Sequence, residues 1–178
     1  MGSPAPIGTL VLLLLFGAIA LVAVVDLRYR RIPNALVGAI AVVGGAHSVF
    51  VGGPRGALAS FLGLGTGISL LALPFAWRML GGGDVKLLGA IGVWLGVAGV
   101  LRVAWLGAVA GGVLAVVYLL RLKSAQRAHV MRNLPAIARH GGPLLAAPEH
   151  LDAAHGIPYG VALSAAAVWV LLFPGGFR

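Results

Sequence analysis

Residues 87–120 read LLGAIGVWLGVAGVLRVAWLGAVAGGVLAVVYLL, and the arrangement of the whole chain turns on how they divide. Their only charge is Arg102. An α-helix rises 1.5 Å per residue, so a single straight helix here would reach about 51 Å. The hydrocarbon core of a bilayer is about 30 Å thick and takes about 20 apolar residues. The stretch is too long for one crossing. It is expected to form a hairpin that turns near 96–102.

The composition supports a membrane setting for that hairpin. The chain has 178 residues, 60% of them hydrophobic and 10% charged, with a mean hydropathy of +1.03. A soluble domain is about 45–50% apolar and about 25% charged. The expected fold is therefore all-α and polytopic, with lipid and neighbouring helices in place of water around its apolar faces. Its length suits a single domain, 1–178. The formal charge is +9 and the pI about 11.6, values that in a soluble protein would point to nucleic acid. Here the basic residues fall between apolar runs without interleaved aromatics, so membrane topology accounts for them and no nucleic-acid partner is expected. Cysteine is absent, which excludes disulfides, a thiolate nucleophile and a cysteine zinc site. Residues 1–6 carry no Lys or Arg, so 7–25 reads as a retained span and not as a secretory signal.

Working outward, six spans are expected: about 7–25, 34–51, 57–77, 85–97, 102–120 and 157–173. Pro33 suits the first turn of a helix and Asn34 a cap, so the second span is expected to open there. Gly52, Gly53, Pro54, Arg55 and Gly56 form a tight turn after it. The long polar segment 121–156 holds Arg121, Lys123, Arg127, Arg132 and Arg139. Within it Leu122, Ala125, Val130, Leu134 and Ile137 fit the apolar side of an interfacial helix lying on membrane lipid, and an irregular solvated loop fits equally well. Six spans place ten basic residues on the side of the first, third and fifth loops: Arg28, Arg30, Arg31, Arg78, Lys86 and the five of the long segment. Arg55, Arg102 and Arg178 fall on the other side. The positive-inside rule makes the ten-residue side cytoplasmic and puts both termini outside. A single span over 87–120 would move the long segment across and nearly erase this bias. Gly63 and Gly67, Gly92 and Gly96, and Gly107 and Gly111 are each four apart, a spacing that lets membrane helices approach closely.

Only four acids occur: Asp26, Asp84, Glu149 and Asp152. Asp26 closes the first apolar run, and Asp84 follows Gly81, Gly82 and Gly83 at the start of another. A charge at the edge of hydrocarbon is costly, about 2.5–3.5 kcal/mol even on lenient scales, so each is a functional-site candidate. The expected topology puts both at the inner ends of their spans, at the same depth. The first arm of the hairpin is short, which would leave Asp84 recessed at the inner interface. Two adjacent carboxylates share one proton, because both cannot ionise cheaply. The ionised member takes a proton from water and the protonated one donates to a peptide carbonyl. Arg28, Arg30 and Lys86 favour the ionised forms. Gly81–Gly83 are expected to adopt positive φ and to let a substrate backbone approach Asp84. On the residues alone a plainer reading stands beside this one, with Asp84 a helix N-cap and Asp26 paired to Arg28 or Arg30.

The ordered set Asp26-x-Arg28-x-Arg30-x-Ile32-Pro33-Asn34, then Gly81-Gly82-Gly83-Asp84-Val85-Lys86-Leu87-Leu88 with Trp94 downstream, then Ile157-Pro158-Tyr159-Gly160, resembles the type IV prepilin peptidases. These are integral-membrane aspartic proteases with a GxGD motif. The resemblance implies that Asp26 and Asp84 are the catalytic pair, supported by Arg28, Arg30, Pro33, Asn34, Gly81, Gly83 and Lys86. It implies cleavage of the basic leader of prepilin and pseudopilin substrates, after a glycine, at the cytoplasmic face of a bacterial inner membrane. It requires no cofactor and no metal. Long members of that family carry a four-cysteine zinc domain and also N-methylate the product. This cysteine-free chain resembles the short form that serves Flp/tight-adherence pili, so methylation is not expected. No feature of the pattern sets an oligomeric state.

Other chemistries fit less well. There is no His-Glu-x-x-His, and none of the six serines sits in a Gly-x-Ser-x-Gly turn. His150 and His155 near Asp152 fit solvated loop histidines better than a metal site. Gly63-Leu64-Gly65-Thr66-Gly67 lies inside an apolar span and is not a phosphate loop. A non-enzymatic small carrier or a secretion or pilus assembly component is the alternative, since intramembrane acids also serve ion pathways. Such a carrier would place acids near mid-membrane and show an inverted repeat, and neither is present in the sequence pattern. Signal-peptide peptidases and presenilins also use a GxGD aspartate, but they carry Tyr-Asp where this chain has Val25-Asp26.

Overall fold

The computed structural model describes residues 6–77, 79–122, 124, 127–128, 131–132 and 159–173. Among them are four helices, α1 (Pro6–Tyr29), α2 (Asn34–Ala76), α3 (Gly82–Arg121) and α4 (Tyr159–Leu172), and no strand. The first three are long and apolar enough to cross a membrane, while α4 is apolar but has only 14 residues.

α1 does not stop before Asp26. It runs on through Leu27, Arg28 and Tyr29, which carry no helix breaker, so Asp26 lies inside the last turns of the helix. The chain leaves the helix at Arg30, which has φ 53 and donates its N–H to the Asp26 carbonyl at 2.9 Å. This is a left-handed cap, usually made by glycine, here made by an arginine.

α2 and α3 are each interrupted at a single residue. Gly53 has φ 57 and ψ −143, and Gly96 has φ 65 and ψ −170, both regions that side chains disfavour. At Gly53 the chain reverses. Ser48 and Gly56 would stand about 12 Å apart along a straight helix. Instead a methyl group added to Gly56 would run into the Ser48 carbonyl oxygen. Both ends of α2 consequently lie beside the start of α3. Lys86 Nζ donates to Asn34 Oδ1 at 3.0 Å, and a methyl group on Gly82 would stand 3.3 Å from the Phe75 ring. The reversals expected over 52–56 and 96–102 therefore narrow to Gly53 and Gly96. Arg102 sits within the second arm of α3, not in a turn. One glycine with positive φ makes each turn, because helical geometry resumes at once on either side.

The arms pack through small residues. Methyl groups on Gly63 and Gly92 would each strike the other's carbonyl oxygen, and one on Gly67 would lie 2.6 Å from the Leu88 oxygen. Gly107 and Gly111 receive Leu163 and Tyr159 of α4. The spacing of four thus places backbones in contact at Gly63, Gly67 and Gly92 and seats side chains at Gly107 and Gly111, while Gly96 serves as the hinge instead. Ser60 Oγ adds a buried hydrogen bond to the Val93 oxygen, 2.8 Å long. α2 packs chiefly on α3, and α4 lies against both α3 and α1. The buried core joins Ile19 and Val22 of α1, Leu87, Leu88 and Ile91 of α3, and Leu163 of α4. The outer surface is apolar as well: Phe50, Phe61, Val51 and Trp105 are all exposed. Such a surface suits lipid and not water. The expected interfacial side Leu122, Ala125, Val130, Leu134 and Ile137 lies outside the described residues except for Leu122, as do His150, Asp152 and His155.

Candidate active site

One helix end and two helix starts meet at the rim of the core. The first is the C-terminal part of α1, which supplies Asp26. This carboxylate is 6% exposed, unusual for an acid, and it has partners. Its Oδ2 accepts the Val161 N–H at 3.3 Å, and the Gly160 amide and the Arg30 charge act on the same group. Amides at the start of a helix are free of intrahelical partners, so the first turn of α4 is a natural neighbour for a carboxylate.

The second element is the start of α3. Gly81 is the N-cap, and Asp84 is the third residue of the first turn, not the cap itself. Its Oδ2 accepts the Gly81 N–H at 3.3 Å, while its own N–H donates to the Gly81 oxygen at 3.2 Å. Gly81 has φ −76, and none of Gly81, Gly82 and Gly83 takes the positive φ expected of them. They matter for their missing side chains. A methyl group on Gly83 would stand 3.1 Å from Ile32 Cβ, so Ile32 could not close over the start of α3.

The third element ties the other two together. The Ile32 side chain that covers Gly83 also meets Gly160, where an added methyl group would lie 2.8 Å from its Cδ1 and 2.9 Å from Asp26 Oδ2. Asp84 is half-buried and within electrostatic reach of Asp26, each charge opposing the other. Tyr159, next to Gly160, packs its ring on Gly111 and is within reach of Asp84. The two acids, 58 positions apart in the chain, are thus brought into one cluster with the first turn of α4 between them.

The supporting residues divide. Arg30 reaches Asp26 electrostatically, whereas Arg28 is exposed on the last turn of α1. Pro33 is the N-cap residue of α2 by its backbone, φ −63 and ψ 126. Asn34 makes no cap, because its oxygen is taken by Lys86. This tie joins the starts of α2 and α3, so Asn34 and Lys86 brace the entry to the cluster from outside it. Trp94 sits further along α3, where its Nε1–H donates to the Ile40 oxygen at 2.8 Å and its ring stacks on His47. Tyr159 and Gly160 belong to a sequence motif, but only the fold reveals their contacts with the acids. Among the described residues no group of three or more His, Cys, Asp or Glu side chains gathers as a metal site would.

No curated protein and no solved structure matches the chain. The profile of the type IV leader peptidase family matches residues 13–116, more than half of the chain, from within α1 to the second arm of α3. That stretch contains both Asp26 and Asp84, and the chain belongs to the type IV leader peptidase family.

Proposed function

We propose that the chain is a membrane aspartic endopeptidase that removes the basic leader of prepilin-like proteins, with Asp26 and Asp84 as its catalytic pair. The observation that carries this reading is the convergence of two of only four acids in one buried cluster, in a chain of this peptidase family. The ionised carboxylate takes a proton from water, whose oxygen attacks the carbonyl carbon of the scissile peptide. The protonated carboxyl donates to the carbonyl oxygen. The tetrahedral diol then collapses, the C–N bond breaks, and the amine leaves with a proton returned by the pair. The two groups titrate as a unit.

The setting follows from the same reading. The chain forms one domain with six crossings: α1, two arms of α2, two arms of α3, and α4. Both termini lie outside, and residues 121–156 face the cytoplasm of a bacterial inner membrane. The first arm of α3 and the whole of α4 each rise only about 21 Å, against about 30 Å of hydrocarbon. Both short helices begin at the acid cluster, so the cluster lies recessed below the inner membrane surface and the leader enters from the cytoplasm. Substrates are prepilins and pseudopilins of the Flp/tight-adherence class, cut after a glycine, with no methylation of the product.

The test is co-expression with a candidate prepilin. Wild-type protein should shorten it, while Asp26→Asn and Asp84→Asn should insert normally and leave it full length. Normal processing by either variant removes the proposal.

A further inference from the structure

The cluster contains a residue that carries no reactive group yet touches the chemistry. Gly160 is buried, and its Cα hydrogens face the Asp26 carboxylate. A methyl group there would stand 2.9 Å from Oδ2, 3.1 Å from Cγ and 2.8 Å from Ile32 Cδ1. The neighbouring Val161 N–H donates to the same Oδ2. Tyr159 seats on Gly111 and lies within electrostatic reach of Asp84. One turn of α4 therefore contacts Asp26 through its backbone and brings a side chain within electrostatic reach of Asp84. We infer that this turn is a positioning element for the catalytic pair, with Gly160 the residue whose missing side chain sets where the Asp26 carboxylate stands.

The reasoning is steric and electrostatic. A carboxylate fixed by helix-start amides keeps one oxygen committed and aims the other. A displacement of about 1 Å at a reacting group is enough to slow a reaction about 100-fold. Of the two neighbours that a side chain at 160 would meet, Ile32 is a flexible aliphatic end that can move away. The carboxylate is held by the hydrogen bond from the Val161 N–H and must shift as a whole. The inference rests on the aspartyl peptidase reading above, and its test separates the two.

Purified full-length protein in lipid nanodiscs, with a prepilin peptide as substrate, gives kcat, KM and their pH dependence. Gly160→Ala should lower kcat by about 10- to 100-fold, leave KM within about twofold and shift the pH profile of kcat. Gly107→Ala is the packing control. It crowds Leu163 one turn along α4, with a methyl group 2.8 Å from Leu163 Cδ2, and touches neither acid. It should lower thermal stability without moving the pH profile. If Gly160→Ala fails to accumulate, the double variant Gly160→Ala with Ile32→Val removes the aliphatic contact, keeps the carboxylate contact and carries the same expectation. Wild-type kcat and pH profile in either variant, while Asp26→Asn is inactive, overturns the inference and spares the peptidase reading. Normal cleavage by Asp26→Asn overturns both.

Discussion

Alanine at Gly63 and alanine at Gly65 are the same chemical change two residues apart on one helix, and the packing predicts opposite outcomes. Gly65 has nothing within 4 Å of an added methyl group. Replacing glycine there reduces the freedom of the unfolded chain and improves helix propensity, which stabilises by about 0.4–1 kcal/mol. Gly63 receives the same gain but must push back the Gly92 carbonyl and the Gly96 Cα, the latter 2.9 Å from the added carbon. Both obstacles are backbone, so no side chain can rotate away. Overpacking of this kind costs about 1–3 kcal/mol, and a contact between two backbones belongs at the upper end. The net loss for Gly63→Ala is then about 1–2 kcal/mol, a 5- to 30-fold fall in the ratio of folded to unfolded protein. The two variants should differ by about 2–3 kcal/mol. Unfolding in mixed micelles with increasing SDS, followed by tryptophan fluorescence, measures the difference. Equal midpoints for the two variants would refute the close packing of the second arm of α2 on the first arm of α3.

Other expectations follow from the same geometry. Arg30→Gly should relieve a left-handed backbone by about 1 kcal/mol and raise the unfolding midpoint, yet lower peptidase activity by removing the charge beside Asp26. Arg30→Lys should keep most of that activity. Trp94→Phe should lose the hydrogen bond to Ile40 and destabilise by about 0.5–1.5 kcal/mol in the same SDS titration. The absence of cysteine makes single replacements clean reporters of topology. In intact cells a membrane-impermeant maleimide should label Arg55→Cys, and Ser124→Cys should react only after the membrane is opened. The opposite pattern contradicts the six-crossing arrangement.

The sequence made some of this legible and hid the rest for physical reasons. Asp26 and Asp84 stood out because acids are so few and because each borders an apolar run. The break in the helix over 87–120 was legible from length against bilayer thickness, a constraint independent of side-chain detail. That its turn is Gly96 alone was not, since many glycines are present and none bears a local mark of positive φ. The same holds for Gly53 within its turn-like surroundings. Asn34 reads as a cap from local rules, but a lysine 52 residues away claims its oxygen. Gly81–Gly83 read in sequence as a positive-φ segment open to a substrate backbone, yet Gly82 and Gly83 serve as a flat surface for Phe75 and Ile32. Gly160 lay in a recognisable motif, but its role requires knowing that α4 lands beside α1, a long-range fact that no local pattern encodes.

Incubation of the purified chain with a prepilin in lipid, followed by mass spectrometry of the product's N-terminus, tests the central claim most directly. The account predicts one new N-terminus immediately after a glycine at the end of the basic leader, formed by wild type and absent with Asp26→Asn or Asp84→Asn. A correctly cut product from either aspartate variant, or an intact substrate with the folded wild-type chain, would contradict it.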